Sequence, residues 1–155
     1  MKKIVYFIAL VLITSNAFGQ KGNLSGEWKI NWEESQLWEQ FSLAADSMTV
    51  KHKRKTFEVE RIYDFQGAVS TTKDVLTLDG KVCENSGMRG AVKKSTAVWD
   101  KKTKVLTISS KMQMNRGGNM EILEEFFING DNLILESTVS SNRGEMVERF
   151  VFDRQ

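Results

Sequence analysis

The chain contains no proline, one cysteine and one histidine among its 155 residues. Because proline removes a backbone hydrogen-bond donor, its absence suits long paired strands. A single cysteine, Cys83, excludes an intramolecular disulfide, and we expect it to be a small buried side chain. A single histidine excludes a histidine-rich metal site. His52 lies in a run of cations that would lower its pKa, and we expect it to be an exposed hairpin residue. No catalytic residue, metal site or cofactor is predicted.

Long hydrophobic runs are also scarce, and the one apolar stretch, Ile4–Ile13, is too short to span a membrane. Lys2 and Lys3 precede it, and Ala17–Gly19 follows as a small-x-small cleavage site. This pattern predicts a signal peptide over residues 1–19 and a mature chain, 20–155, that begins at Gln20. We therefore expect a periplasmic or secreted protein with no transmembrane segment in the mature chain. The alternative is a short membrane anchor that is kept.

The mature chain has no excess of charge of either sign. The predicted leader takes two of the 22 basic residues and none of the 20 acidic ones, which leaves 20 of each. Because a formally neutral protein has no general attraction for a polyanion, we predict no nucleic-acid partner.

Apolar and polar residues alternate from Gly26 to the C-terminus, with turn residues between the runs. The alternation predicts nine strands: Gly26–Trp32, Met48–His52, Phe57–Tyr63, Val75–Leu78, Val92–Trp99, Val105–Met114, Met120–Ile128, Leu133–Val139 and Met146–Phe152. Short hairpins make consecutive strands antiparallel neighbours, and closure removes the two exposed edges. The predicted fold class is all-β, a single antiparallel up-and-down β-barrel of about 8–9 strands. Residues 34–42 have helical spacing and predict either a short helix or an irregular loop.

Gly26-Glu27-Trp28 opens the first strand and resembles the G-x-W motif of lipocalins and related calycin barrels. The segments GEWKINWEES, LTLDGK, AVWDKKTKVLTI and ERFVFDRQ together resemble a family of small, exported, lipocalin-like proteins of Gram-negative bacteria. The sequence departs from that family in Glu27, where Thr is common, and in the short turn at Asn129–Asp131. The resemblance covers nearly the whole mature chain. It implies a lipocalin-like barrel with Arg149 or Arg154 packed over Trp28, and it implies little about activity.

Three charged residues lie on otherwise apolar strand faces: Arg61, Glu124 and Glu148. If those faces point inward, the charges must pair or border a wet cavity, because an unpaired buried charge is expensive. Three interpretations stay open: a salt bridge that sets strand register, a cluster that orients a ligand, or a general acid formed by one Glu. The predicted ligand-binding residues are Trp28, Trp32, Arg61, Glu124, Phe126 and Glu148.

A basic rim is predicted from the parity of the turns. In an up-and-down barrel alternate turns lie at the same end, and this count brings together Lys53, Arg54, Lys55, Arg89, Arg116 and Arg143. The alternative is that these cations are only solvated hairpin tips. The count treats residues 79–90 as one loop. A hairpin at Asp79-Gly80 would add a strand and would move Arg116 and Arg143 to the opposite end.

These observations predict an exported, non-enzymatic binding protein for a small, largely apolar or amphipathic ligand with an anionic end. One alternative is a protein–protein module, such as an envelope inhibitor of a secreted hydrolase, that would use the loop 79–90. The other is a barrel isomerase or cyclase that uses one interior Glu.

Overall fold

A computed structural model describes residues 22–38, 42–87, 90–114 and 117–155, and these residues form ten β-strands. The strands are β1 (Gly26–Ile30), β2 (Ser47–His52), β3 (Thr56–Phe65), β4 (Ala68–Thr77), β5 (Cys83–Ser86), β6 (Val92–Asp100), β7 (Val105–Gln113), β8 (Asn119–Asn129), β9 (Asn132–Ser141) and β10 (Gly144–Arg154). Buried and accessible residues alternate along them, as the sequence pattern predicts.

All strand pairs are antiparallel, and their order across the sheet is β4-β3-β2-β1-β10-β9-β8-β7-β6-β5. The pairing of β1 with β10 joins the two ends of the chain, so the sheet curls into a nearly closed up-and-down barrel. This confirms the predicted all-β architecture. We call the end where β1 begins and β10 ends the termini end. The opposite end, which holds the β1–β2 connection (residues 31–46), is the connection end.

Two features escape the apolar alternation, and one of them, β5, raises the number of strands to ten from the predicted eight or nine. Gln66 and Gly67 both have positive φ, 54° and 87°, which is the geometry of a two-residue hairpin loop. β4 therefore begins at Ala68, well before the predicted strand Val75–Leu78. β5 is a four-residue strand of sequence CENS with no alternating apolar residues to predict it.

The seam between β4 and β5 is closed by side chains instead of a backbone ladder. The Asn85 Oδ1 atom accepts the Val75 N–H at 2.9 Å, and Asn85 Nδ2 donates to the Val75 carbonyl at 3.2 Å. Beside this pair, the Thr77 N–H donates to Cys83 Sγ at 3.4 Å. The Asn85 amide thus takes the place that a peptide group of a neighbouring strand would occupy.

The predicted helix over residues 34–42 does not form in its described part, residues 34–38 and 42. Gln36 instead makes a β-bridge with Arg149. Its N–H donates to the Arg149 carbonyl at 2.7 Å, and its carbonyl accepts the Arg149 N–H at 2.9 Å. Backbone groups that pair with β10 cannot also form a helical turn. Residues 39–41 of the predicted helix lie outside the described residues.

The half of the barrel at the termini end contains an apolar core. Trp28, Phe57 and Phe126 are at most 1% exposed, and the two phenylalanine rings lie 5.5 Å apart between centroids. The indole Nε1 of Trp28 donates to the Leu24 carbonyl at 3.0 Å. The guanidinium carbon of Arg154 lies 4.1 Å from the Trp28 ring centroid, which confirms the predicted basic residue over this tryptophan.

We expect Asn85→Ala to weaken the β4–β5 seam, because it removes both hydrogen bonds to the Val75 backbone. The free energy of unfolding should fall by about 1 kcal/mol. Amide hydrogen exchange at Val75 should become faster, whereas exchange in the core strands should change little. Ser86→Ala, at the exposed neighbouring position, is the control. Unchanged exchange at Val75 in the Asn85 variant would contradict this account of the seam.

Candidate functional site

Four charged side chains meet inside the barrel and form what we call the ion cluster: Arg61 from β3, Asp74 from β4, Lys93 from β6 and Glu124 from β8. Arg61 donates through Nη1 to Asp74 Oδ2 at 2.7 Å and through Nη2 to Glu124 Oε1 at 2.8 Å. Lys93 Nζ donates to the same Asp74 oxygen at 2.6 Å. Two cations and two carboxylates leave the ion cluster without net formal charge.

The Arg61–Glu124 ion pair crosses the barrel interior. β3 and β8 lie five positions apart in the ten-strand order, on opposite walls. On the termini side of the ion cluster, Phe57 and Phe126 come from the same two strands and also meet across the interior. The Arg61 guanidinium lies 5.8 Å from the Phe126 ring centroid. Side chains therefore fill the barrel at both levels.

Burial and charge act in opposite directions on the central guanidinium. Burial lowers the pKa of Arg61, but the nearby anions, Glu124 first among them, outweigh burial and raise the pKa above its ordinary value. Burial also raises the pKa of the neighbouring Tyr63 hydroxyl. Within the described residues, Oδ1 of Asp74 is buried without a hydrogen-bond partner. The ion cluster is thus protonated at Arg61 and keeps one unused acceptor.

The ion cluster is not completely buried. The side chains of Glu124 and Lys93 are each 12% exposed, compared with 6% for Arg61 and 4% for Asp74. Glu124 lies on the inward face of β8 together with Phe126, which is fully buried. The apolar core lies on the termini side of the ion cluster, and the β1–β2 connection lies at the opposite end of the barrel.

Glu148 is buried on β10 and has a different role from the ion cluster. Its Oε1 accepts the Trp38 N–H at 3.0 Å, and its Oε2 accepts the Leu43 N–H at 3.3 Å. Ser137 lies between Glu124 and Glu148 in the register of β8, β9 and β10. Glu148 therefore fixes the β1–β2 connection to the barrel wall.

The three aromatic residues among the predicted ligand-binding residues lie in separate parts of the structure. Trp28 belongs to the core at the termini end, and Phe126 lies under the ion cluster. Trp32 is 51% exposed because β1 ends before it, so the predicted inward position of Trp32 is wrong. Of the predicted ligand-binding residues, the structure brings together Arg61, Glu124 and Phe126.

Two members of the ion cluster, Asp74 and Lys93, were not found by sequence reasoning. Asp74 shares the inward face of β4 with Leu76, but it precedes the strand that the alternation predicts. Lys93 alternates with Ser95 and Ala97 along β6, and small or polar neighbours do not mark an inward face. The one available signal of an inward Asp74 was that it lies two residues before the apolar Leu76, on the same face of a strand.

The predicted basic rim does not form as a single surface. The β2–β3 turn with Lys53–Lys55 lies at the termini end, and strand β5 changes the parity of every later turn. Arg143, on the β9–β10 turn, lies at the connection end. Arg89 and Arg116 lie outside the described residues.

His52 is half-buried and does not extend into solvent as predicted. It continues the inward face of β2 beyond Met48 and Val50. Its ring lies edge-on to Trp99 with 4.5 Å between centroids, and its Nδ1 accepts the Leu24 N–H at 3.5 Å. Burial lowers the pKa of this imidazole.

A second concave surface lies on the outside of the barrel. It is a groove of about 270 Å³ across β8, β9 and β10, in which Leu123 and Val147 are exposed apolar residues. Glu125 of β8 lies opposite Glu136 of β9. Arg149 Nε donates to Glu136 Oε1 at 3.3 Å. This groove suits contact with another macromolecule more than enclosure of a small ligand.

Two possible features are missing from the described parts of the chain. Residues 22–38, 42–87, 90–114 and 117–155 bring together no three side chains of His, Cys, Asp or Glu in a metal-binding arrangement. In the same ranges, no helix has the length and hydrophobicity needed to cross a bilayer.

Comparison with known proteins identifies the fold. No family model and no curated protein matches the sequence. Among solved structures, zebrafish ileal bile acid-binding protein complexed with cholic acid is similar, with a TM-score of 0.55 and 15% sequence identity. The match covers 84% of this chain and 98% of that chain. At this identity the likeness shows the fold alone, an antiparallel up-and-down β-barrel. The exported bacterial family stays a prediction.

We expect Arg61→Met to destabilise the protein strongly, because it leaves two buried carboxylates with one cation. The loss in unfolding free energy should be about 3–5 kcal/mol, measured by urea denaturation. Glu124→Gln and Glu125→Gln form a matched pair of variants, because Glu124 faces the barrel interior and Glu125 faces outward on the same strand. The first should be clearly destabilising and the second should change stability by less than about 0.5 kcal/mol. Equal effects would contradict the crossing ion pair.

The His52 environment predicts how stability depends on pH. Because burial lowers the pKa of His52 below its ordinary value of 6.5, the unfolded state binds more protons as the pH falls below 6.5. The contribution of His52 to stability is therefore complete above pH 6.5 and is lost as the pH falls toward the folded pKa. His52→Gln should flatten this part of the profile, measured as urea midpoints between neutral and mildly acidic pH. An unchanged slope would exclude His52 as its source.

Proposed function

We propose that the protein is an exported, non-enzymatic binding protein for a small, largely apolar ligand. The proposal is supported by the division of the interior at the ion cluster. The termini half is filled by its own side chains, whereas Glu124 and Lys93, at the border with the other half, each remain 12% exposed. The ligand would lie in that second half, beneath the β1–β2 connection.

The surroundings of this space have the chemistry that an apolar ligand needs. Inward-facing side chains between the ion cluster and the connection end are mainly apolar, with flexible methionines that can adapt to a ligand's shape. They are Tyr63, Met112, Ile122, Val139 and Met146. Glu148 secures the backbone that covers them.

The structural comparison supports the same class of function. The similar solved structure is described as a bile acid-binding protein and contains cholic acid. This is one case in which a barrel of this fold holds a small, largely apolar molecule. It also agrees with a binding protein rather than an enzyme.

The polar end of the ligand is better matched by a hydroxyl group than by the predicted anionic end. Arg61 and Lys93 already pair with carboxylates, so an anion would have to displace Asp74 or Glu124. A hydroxyl group can donate to the solvent-reached carboxylate of Glu124 without breaking the ion cluster. We therefore propose Glu124 as the polar contact.

The alternative, a protein–protein module, has one observation in its favour. The outer groove exposes Leu123 and Val147 beside the carboxylates of Glu125 and Glu136. An apolar floor with a charged border is typical of a protein contact. In that case the groove, and not the loop 79–90, would be the contact surface.

Native mass spectrometry of protein purified from its own host tests the proposal. We expect a small molecule that is bound stoichiometrically and is released on denaturation. We also expect the protein to have the mass of a chain that begins at Gln20. Ser137→Phe should lose the molecule, because Ser137 faces the proposed space between Glu124 and Glu148. Thr138→Phe, which faces outward on the same strand, should keep it.

As a control, circular dichroism and thermal unfolding should be measured to check that both variants fold. An empty wild-type barrel, or a folded Ser137→Phe variant that still carries the molecule, would overturn interior binding. A co-purified protein that is lost on Val147→Asp would instead favour the protein–protein alternative.

A further inference from the structure

The termini end of the barrel carries a concentration of positive charge that the basic rim prediction did not describe. Four turns open at this end, together with the C-terminal residues of β10. Their exposed cations form what we call the cationic face: Lys53, Arg54, Lys55, Lys81, Lys101, Lys102, Lys104 and Arg154. The acidic residues of the same turns are Asp79, Asp100 and Asp131.

Backbone contacts hold these turns beside one another. The Leu78 N–H donates to the Lys55 carbonyl at 2.9 Å, which joins the β2–β3 turn to the end of β4. The Gly80 N–H donates to the Ala97 carbonyl at 3.2 Å, which joins the β4–β5 turn to β6. The cations therefore belong to one continuous surface.

Two of the three aspartates are committed to turn structure. Asp79 Oδ1 accepts the Thr77 hydroxyl at 2.7 Å and the Lys81 N–H at 3.2 Å. Asp100 Oδ1 accepts the Lys102 N–H at 2.7 Å and the Thr103 N–H at 3.2 Å. Within the described residues, the Lys81–Asp79 pair at 3.3 Å is the one ion pair of the cationic face. Most of its positive charge is thus available to a partner.

The opposite end has the opposite balance. In the sequence, the connections at this end contain four acidic and three basic residues: Glu33, Glu34, Glu39, Asp46, Arg89, Arg116 and Arg143. The predicted mature chain, which is formally neutral, is therefore polarised along the barrel axis, and an anionic partner is directed to the termini end.

We propose that the cationic face docks on an anionic lipid surface. Most of its cations are lysines on separate hairpin tips, which act as point charges and suit a laterally mobile array of head groups. Val82, 62% exposed on the β4–β5 turn, adds an apolar contact at the same end.

Vesicle co-sedimentation of the protein purified from its host tests the proposal. The probes are phosphatidylcholine vesicles and vesicles with about one third phosphatidylglycerol. We expect binding to the anionic vesicles alone, with loss of binding at high salt. The triple variants K53Q/R54Q/K55Q and K81Q/K101Q/K102Q should each weaken binding about a hundredfold, because each cation near an anionic surface contributes roughly fivefold.

The matched control, K94Q/K111Q/R143Q, removes the same charge from exposed positions on the barrel wall and the connection end. It should bind within about threefold of wild type, since these cations lie far from the docked surface. An equal loss in the control would show dependence on net charge alone and would overturn the proposal. Absence of binding to anionic vesicles would also overturn the proposal. If the protein then bound soluble heparin tightly, the cationic face would be assigned to an acidic glycan instead.

Discussion

Arg61 determines how the interior of this barrel is divided, because its guanidinium reaches from β3 to a carboxylate on the opposite wall. A charge buried this deeply costs several kcal/mol unless partners at close range offset it. Asp74 and Glu124 must therefore stay within reach, and a register shift of one residue would turn either of them outward. One ion cluster thus ties together strands that are distant in the sheet order.

The two halves of the barrel differ because different forces hold them. At the termini end, aromatic side chains such as Phe57 and Phe126 fill the interior and exclude water. At the connection end, Glu148 binds backbone amides of an irregular segment, so hydrogen bonds replace close packing there. The Gln36–Arg149 bridge also joins this segment to β10.

The sequence pattern predicts the all-β barrel and the inward position of Arg61 and Glu124, because alternation is a local property that each strand displays. It does not predict β5, since Cys83–Ser86 has no apolar alternation, nor the full β4, since the tight turn at Gln66–Gly67 is unusual in composition. Because β5 was not predicted, the later turns were predicted at the wrong ends of the barrel. The pairing of Arg61 with Asp74 and Glu124 depends on closure of the sheet, which no single strand encodes.

Because β1 pairs with β10, the barrel closes only when both ends of the chain are present. Trp28 lies opposite Arg154 in that pairing, so the first strand lacks a neighbour until the last residues are available. Contacts between such distant residues close large loops and slow folding. Closure of the barrel is therefore a late step in folding, which waits until β10 is available to pair with β1.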